Sequence, residues 1–117
     1  MLPFIFTVPF RIFGSYTGFS WFVFIWISRT ARDRDEVINH EKIHFYQQVE
    51  LFFIVHWILY GWYYFDGRRK GYSHHEAYRR IPFEREAYSH ESDYGYLKRR
   101  KPFAWLKYCM SNEPGSL

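Results

Sequence analysis

Hydrophobic residues dominate the start of the chain and fall into two runs, Phe4 to Phe13 and Phe19 to Ser28. Both runs are rich in Phe, Ile, Val, Trp and Thr, which favour β-strands. The five residues between them begin and end with glycine, as hairpin connections often do. The pattern therefore predicts a β-hairpin over residues 1–28. A competing interpretation is a membrane span over residues 12–28, which is at the short limit for crossing hydrocarbon.

The pattern becomes helical after Asp33. Asp33 and Glu36 have the spacing of a helix N-cap and its third residue, and no Pro or Gly follows until Gly61. This predicts one helix over residues 35–65. Its second part, residues 51–65, is apolar on almost every face, so we expect lipid, another subunit or the remaining chain to cover it.

The second half of the chain predicts a return toward this helix. Pro82 fits the first position of a further helix and Gly95 fits its end, within a glutamate-containing region over 72–94. A basic and aromatic tail over 95–117 follows. The predicted fold class is α+β in a single domain of residues 1–117: mainly helical, with a long helix packed against a returning helix and a small N-terminal β-hairpin.

The composition limits the cellular compartments and the binding partners that we expect for this protein. Aromatic residues make up 25% of the chain, which excludes disorder for most of it, and the single Cys109 excludes both an intrachain disulfide and a cysteine-based zinc site. The net charge of +4 is distributed in short basic runs beside aromatic stretches, which favours an anionic membrane surface and not nucleic acid. We expect a membrane-associated or cytoplasmic protein without a cleaved signal peptide.

The most informative stretch is His40-Glu41-Lys42-Ile43-His44. Histidines four residues apart lie on one helix face a single turn apart, so both imidazoles can bind one zinc ion. Glu41 projects beside them, where a general base is needed. Composition alone would produce this motif about 0.02 times in a chain of this kind, so chance is a poor explanation.

A catalytic zinc needs a third protein ligand. Residues Phe83-Glu84-Arg85-Glu86 supply two candidate carboxylates, and a helical return from Phe65 brings them level with the histidines. We favour Glu84, because Ala87 shares its helix face and allows close approach, with Glu86 as the alternative.

His40-Glu41-x-x-His44 followed by Glu84-x-x-Ala87 resembles the gluzincin metallopeptidases, with Tyr88 where that pattern usually ends in Asp. The segment from Phe19 to Tyr108 also resembles a family of small bacterial proteins. The gluzincin resemblance implies a minimal zincin-like domain with Zn²⁺ as cofactor.

The residues and the resemblance together imply a zinc-dependent metallopeptidase. In it, His40, His44 and Glu84 hold zinc, and Glu41 takes a proton from water to hydrolyse peptide bonds. The alternative is a non-catalytic zinc-binding, membrane-associated structural protein. Expected partners are a peptide or protein substrate and a membrane surface, but no nucleic acid. Homo-oligomers are expected through the apolar residues 51–65 if another subunit covers them.

Overall fold

The computed structural model describes residues 3–12 and 16–109 and has the predicted α+β class, mainly helical with a small sheet near the N-terminus. The sheet consists of β1 (Phe4–Val8), β2 (Gly18–Trp21) and β3 (Phe24–Ser28). The helices are α1 (Arg34–Glu50), α2 (Ile54–Arg69), α3 (His74–Arg80), α4 (Pro82–His90) and α5 (Tyr96–Arg99), followed by a 3₁₀ helix (Ala104–Cys109). Gly14 and Ser15 of the expected hairpin connection, and tail residues 112–117, lie outside the described residues.

The strands pair differently from the prediction. The order in the sheet is β1-β3-β2, with β1 parallel to β3 and β2 antiparallel to β3. The expected hairpin between the two hydrophobic runs is therefore wrong: the hairpin lies inside the second run, with a turn at Phe22-Val23. Phe22 adopts a φ of 54°, a conformation that a bulky side chain rarely takes. A phenylalanine at this position therefore did not indicate a turn.

The single helix predicted over 35–65 is also wrong, because it is interrupted at residues 51–53. Phe52 and Phe53 have φ values of 53° and 62°, without any Gly or Pro to mark the break. Gln48 supports the break through its backbone and the turn at Phe22 through its side chain. Its carbonyl oxygen accepts from the Phe53 N–H at 2.7 Å, and its side-chain oxygen accepts from the Phe22 N–H at 2.9 Å.

The start of α1 follows the prediction, since Asp33 accepts a hydrogen bond from the Glu36 N–H at 3.0 Å. Pro82 occupies the first turn of α4, also as predicted. The predicted end at Gly95 is wrong: α4 ends at His90, and Gly95 instead precedes α5.

Two apolar clusters hold the helices around α4. Ile43 of α1 packs with Ala87 and Tyr96, and this cluster fixes α1 against α4. Phe83 packs with Ile81 and Trp105 beneath the aromatic rings of α2. Each cluster buries its side chains almost completely, so α4 is held between α1 and α2.

Across residues 3–12 and 16–109, no helix combines the length and apolar character that a bilayer crossing requires.

Candidate metal centre

The two motif histidines lie in the middle of α1 and face α4. Both are buried, with 6% of each residue exposed. Their Nε2 atoms are 3.2 Å apart. One helical turn between them therefore brings two imidazole nitrogens to one point, as the sequence predicted.

Glu84 reaches the same point from the first turn of α4. Its Oε1 atom lies 3.2 Å from His40 Nε2 and 3.1 Å from His44 Nε2. Tyr60 of α2 donates a hydrogen bond to the other carboxylate oxygen at 2.7 Å, which turns Oε1 toward the histidines. The atoms His40 Nε2, His44 Nε2 and Glu84 Oε1 are called the donor cluster below.

The partners of the remaining ring nitrogens decide which nitrogens can bind a cation. His40 Nδ1 lies 2.7 Å from a carboxylate oxygen of Glu91, which only accepts, so this Nδ1 carries a proton. His44 Nδ1 lies 2.8 Å from the side-chain oxygen of Gln47. The Gln47 amide donates to the Phe83 carbonyl oxygen at 3.0 Å, which fixes its orientation. In the neutral tautomer that these partners favour, each imidazole directs the lone pair of Nε2 into the donor cluster.

The donor cluster has the dimensions of a metal site. Its sides measure 3.1, 3.2 and 3.2 Å. Three donor atoms at these separations could all lie about 2.0–2.2 Å from a single ion, the usual distance for zinc ligands. Without a proton or a cation between them, the facing lone pairs would repel each other. His40, His44 and Glu84 thus fit a small divalent cation.

The electrostatics of the site favour positive charge at this point. Burial alone would lower the pKa of His40, but the hydrogen bonds that its ring donates to the carboxylates of Glu84 and Glu91 outweigh burial and raise that pKa to about 10. Burial likewise opposes charge on His44, and the adjacent Glu84 raises its pKa. Burial would raise the pKa of Glu84, whereas the two imidazoles hold it well below its usual range.

Glu86, the alternative third ligand, takes no part in the donor cluster. It is fully buried and accepts hydrogen bonds from Gln47 at 2.9 Å, from Tyr96 at 2.6 Å and from Arg100. Burial would raise the pKa of Glu86, but the hydrogen bonds from Arg100 lower it. Arg100 also contacts Glu50 at 2.8 Å. Glu86 therefore supports His44 through Gln47.

Asn39 fixes the segment that carries Glu91. Its side-chain amide donates to the carbonyl oxygens of His90 and Glu91, at 3.1 and 2.8 Å, where α4 ends. The neighbouring histidine, His40, depends on this segment for the partner of its Nδ1.

Asn39→Ala is therefore expected to weaken metal binding by about 10–100-fold, as loss of a partner that orients a ligand usually does. The affinity would be measured by competition with a chromogenic chelator. Ser92→Ala is the matched control, because it removes a hydrogen bond between the same loop and Glu36 but leaves the Asn39 contacts in place. Equal affinities of both variants would contradict a positioning role for Asn39.

Glu41 lies beside the donor cluster and borders β2. It is buried, and a Cβ added to Gly18 would lie 2.9 Å from its Oε2 atom, so a side chain at position 18 would force Glu41 to shift. Burial raises the pKa of Glu41, and the two histidines partly oppose that rise. A carboxylate with a raised pKa is well suited to accept a proton near neutral pH.

Two cavities meet at Glu41 and at Gly18. The larger, of about 230 Å³, is bounded by aromatic side chains of α2 and by His44 and Glu84. The smaller, of about 210 Å³, is more polar and is bounded by His40 and Glu91. The donor cluster therefore borders a cleft on both sides, with an aromatic lobe and an acidic lobe.

His56 of α2 borders the aromatic lobe and is almost fully buried. Within the described part of the chain, neither of its ring nitrogens has a hydrogen-bond partner. Burial lowers its pKa to about 3, so the ring is neutral. Its ring packs at an interplanar angle of 42° to the ring of Phe83, with centroids 4.4 Å apart, and takes no part in the donor cluster.

Several supporting residues were missed from the sequence. Gln47 lies three residues after His44, a spacing that places it on the same helix face and that could have identified it. Glu91 lies seven residues, or two turns, after Glu84, a spacing that could have identified it as a partner of His40. Tyr60 had no comparable signal, because the helix break determines where its hydroxyl points.

Comparison with models of known protein families, with curated proteins and with solved structures finds no match to this chain.

Proposed function

We propose that this protein is a zinc-dependent metallopeptidase in which His40, His44 and Glu84 bind the metal and Glu41 is the general base. The observation that carries the proposal is the donor cluster, in which two imidazole nitrogens and one carboxylate oxygen lie 3.1–3.2 Å from one another. The gluzincin resemblance agrees with this donor set. It remains a prediction, since no family model matches.

The donor set favours zinc over Mg²⁺ and Ca²⁺. Two imidazoles and one carboxylate suit Zn²⁺, whereas Mg²⁺ and Ca²⁺ prefer oxygen ligands alone. Bound zinc would polarise a carbonyl group and lower the pKa of water in the open position. Glu91 and Gln47 would hold the two rings in the tautomer that this binding requires.

Glu41 would take the proton from water and later transfer it to the leaving amine. Its place at the junction of the two lobes gives it access to a substrate that lies along the cleft. Its raised pKa supports both transfers.

The neighbouring strand β2 supports a peptide as the substrate. The Ser28 N–H donates to the Thr17 carbonyl oxygen at 2.9 Å, and hydrogen-bonded pairs alternate along an antiparallel ladder. The next pair, Gly18 with Ile27, therefore turns the Gly18 backbone groups away from β3 and toward the open edge. An extended peptide that pairs with this edge would lie beside Gly18, whose neighbour is Glu41.

The proposal predicts that a chelator abolishes hydrolysis of a fluorogenic peptide library by the purified chain and that added Zn²⁺ restores it. Cleavage would be followed by fluorescence and product masses, with metal content measured on the same samples. Stoichiometric zinc without cleavage would contradict the peptidase and favour the non-catalytic zinc-binding alternative. Cleavage that survives metal removal would contradict the role of the metal.

A further inference from the structure

The outward face of α2 is apolar along most of its length. Its exposed positions include Ile54, Ile58, Trp62 and Phe65, which we call the apolar stripe. Their spacing places them within about 80° of one another around the helix axis. A helix face turned to water normally carries polar residues, so this face is built for a partner.

Two strained backbone segments extend the apolar stripe at its N-terminal end. Phe22, in the turn between β2 and β3, and Phe52, in the break before α2, both have positive φ. Phe52 is 81% exposed. Both rings border a groove that also contains Ile54. Phenylalanine rarely adopts this backbone conformation, and here the conformation projects apolar rings outward.

The C-terminal end of the apolar stripe is basic. Arg68, Arg69 and Lys70 are exposed, and Asp66 is the one acidic residue among them, paired with Arg69 and Lys70. The surface thus combines aromatic and aliphatic side chains with an excess of positive charge at one end. This is the composition of segments that lie in the interface of an anionic bilayer.

A second copy of this chain fits the surface poorly. Antiparallel packing of two apolar stripes would place the exposed Arg68 of one copy against the apolar end of the other stripe, which offers no carboxylate. Parallel packing would bring the two basic ends together. Anionic lipid headgroups avoid both costs, because they neutralise the basic end while the rings enter the acyl boundary.

We propose that the apolar stripe, with the adjoining Phe22 and Phe52, docks on the surface of a phospholipid bilayer that contains anionic headgroups. The helix lies in the plane of the interface, its apolar side chains enter the lipid, and Arg68 contacts headgroup phosphates. This surface shares no residue with the donor cluster, so lipid docking goes beyond peptide hydrolysis and does not depend on it.

The test is sedimentation of the full chain with vesicles of phosphatidylcholine, with and without phosphatidylglycerol. The wild type is expected to sediment with the anionic vesicles, and Trp62→Gln to bind them at least about tenfold more weakly, because one large apolar side chain no longer enters lipid. Tyr94→Gln is the matched control. Tyr94 is an aromatic residue exposed to the same 56%, but it lies near the acidic first turn of α1.

Two further variants test the contribution of positive charge to vesicle binding and a second apolar position of the stripe. Arg68→Gln is expected to weaken binding to anionic vesicles about fivefold and to leave binding to neutral vesicles unchanged. Ile58→Gln repeats the test at a second stripe position if Trp62→Gln fails to fold by circular dichroism. A wild type that does not sediment, or equal effects of Trp62→Gln and Tyr94→Gln, would overturn the proposal. So would a lipid-independent dimer that Trp62→Gln converts to monomers, which would identify a second copy as the partner.

Discussion

Glu41→Gln is expected to lower kcat/KM for peptide hydrolysis by about 100- to 10,000-fold, the usual contribution of a positioned general base. Glutamine keeps the size of the side chain and its packing beside Gly18 but accepts no proton. The donor cluster does not include Glu41, so zinc content is expected to stay at the wild-type level. Both quantities would be measured on the same preparation.

Glu76→Gln is the control for this substitution. It makes the same chemical change on the first turn of α3, outside both cavities, and should leave kcat/KM unaltered. If Glu41→Gln retained full activity with zinc bound, Glu41 would not be the base. If it lost zinc together with activity, its role would be structural.

Arg100→Met is expected to lower the free energy of unfolding by about 3–5 kcal/mol, the usual cost of removing one partner from a buried ion pair. Arg100 is almost fully buried between Glu50 and the completely buried Glu86. Without the guanidinium, two carboxylates remain inside the protein without a countercharge. Urea denaturation followed by circular dichroism would measure the loss.

Arg99, next to Arg100 in the chain, supplies a matched control for Arg100→Met. Arg99 forms an exposed ion pair with Asp93, so Arg99→Met should change stability little. The double variant Arg100→Met/Glu86→Gln should recover part of the loss, because it removes one of the unpaired charges. Equal stability of the Arg99 and Arg100 variants would show that the buried network does not support the fold.

Lowering the pH should weaken the buried network of Glu50, Arg100 and Glu86 and so lower the stability of the fold. The folded pKa of Glu86 lies below its ordinary value of 4.5, so its contribution to stability is fully present above that pH and is lost as the pH falls through the lowered value. The wild type is therefore expected to lose stability below about pH 4.5 more steeply than Glu86→Gln. Urea midpoints measured across this range would compare them, and parallel profiles would contradict a depressed pKa.

The sequence was most informative where chemistry and helical spacing coincide. His40 and His44 meet because one turn separates them, and Glu84 reaches them because Pro82 starts α4 at the right level. Ala87, completely buried between α4 and α1, permits the close approach that favoured Glu84 over Glu86. Local rules were sufficient for these three positions.

Local rules failed where tertiary contacts decide the backbone. The turn at Phe22 and the break at residues 51–53 have no Gly or Pro. They are held by hydrogen bonds to Gln48, whose side chain also donates to the Ser20 carbonyl oxygen at 3.2 Å. A polar residue that ties a strand to a helix over a distance of 28 residues leaves no periodic signal in the sequence. The same bonds hold β2 against α1.

The position of Tyr60 follows from that break. In a continuous helix over 35–65, residues 54–65 would continue along the axis of α1. The break at residues 51–53 changes their direction and brings the Tyr60 hydroxyl to Glu84. The bend also leaves the apolar stripe of α2 exposed, although the sequence had left open whether the rest of the chain would cover residues 51–65.

The central claim is that one metal ion is held by two imidazoles and the carboxylate of Glu84, and zinc X-ray absorption spectroscopy of the purified full chain tests it most directly. We expect one zinc ion per chain, with scattering from two imidazole rings and with oxygen as the other ligand type. We expect Glu84→Ala to lose stoichiometric zinc and Glu76→Ala to keep it. A chain that binds no zinc, or one whose zinc has the same ligands in Glu84→Ala as in the wild type, would contradict the claim.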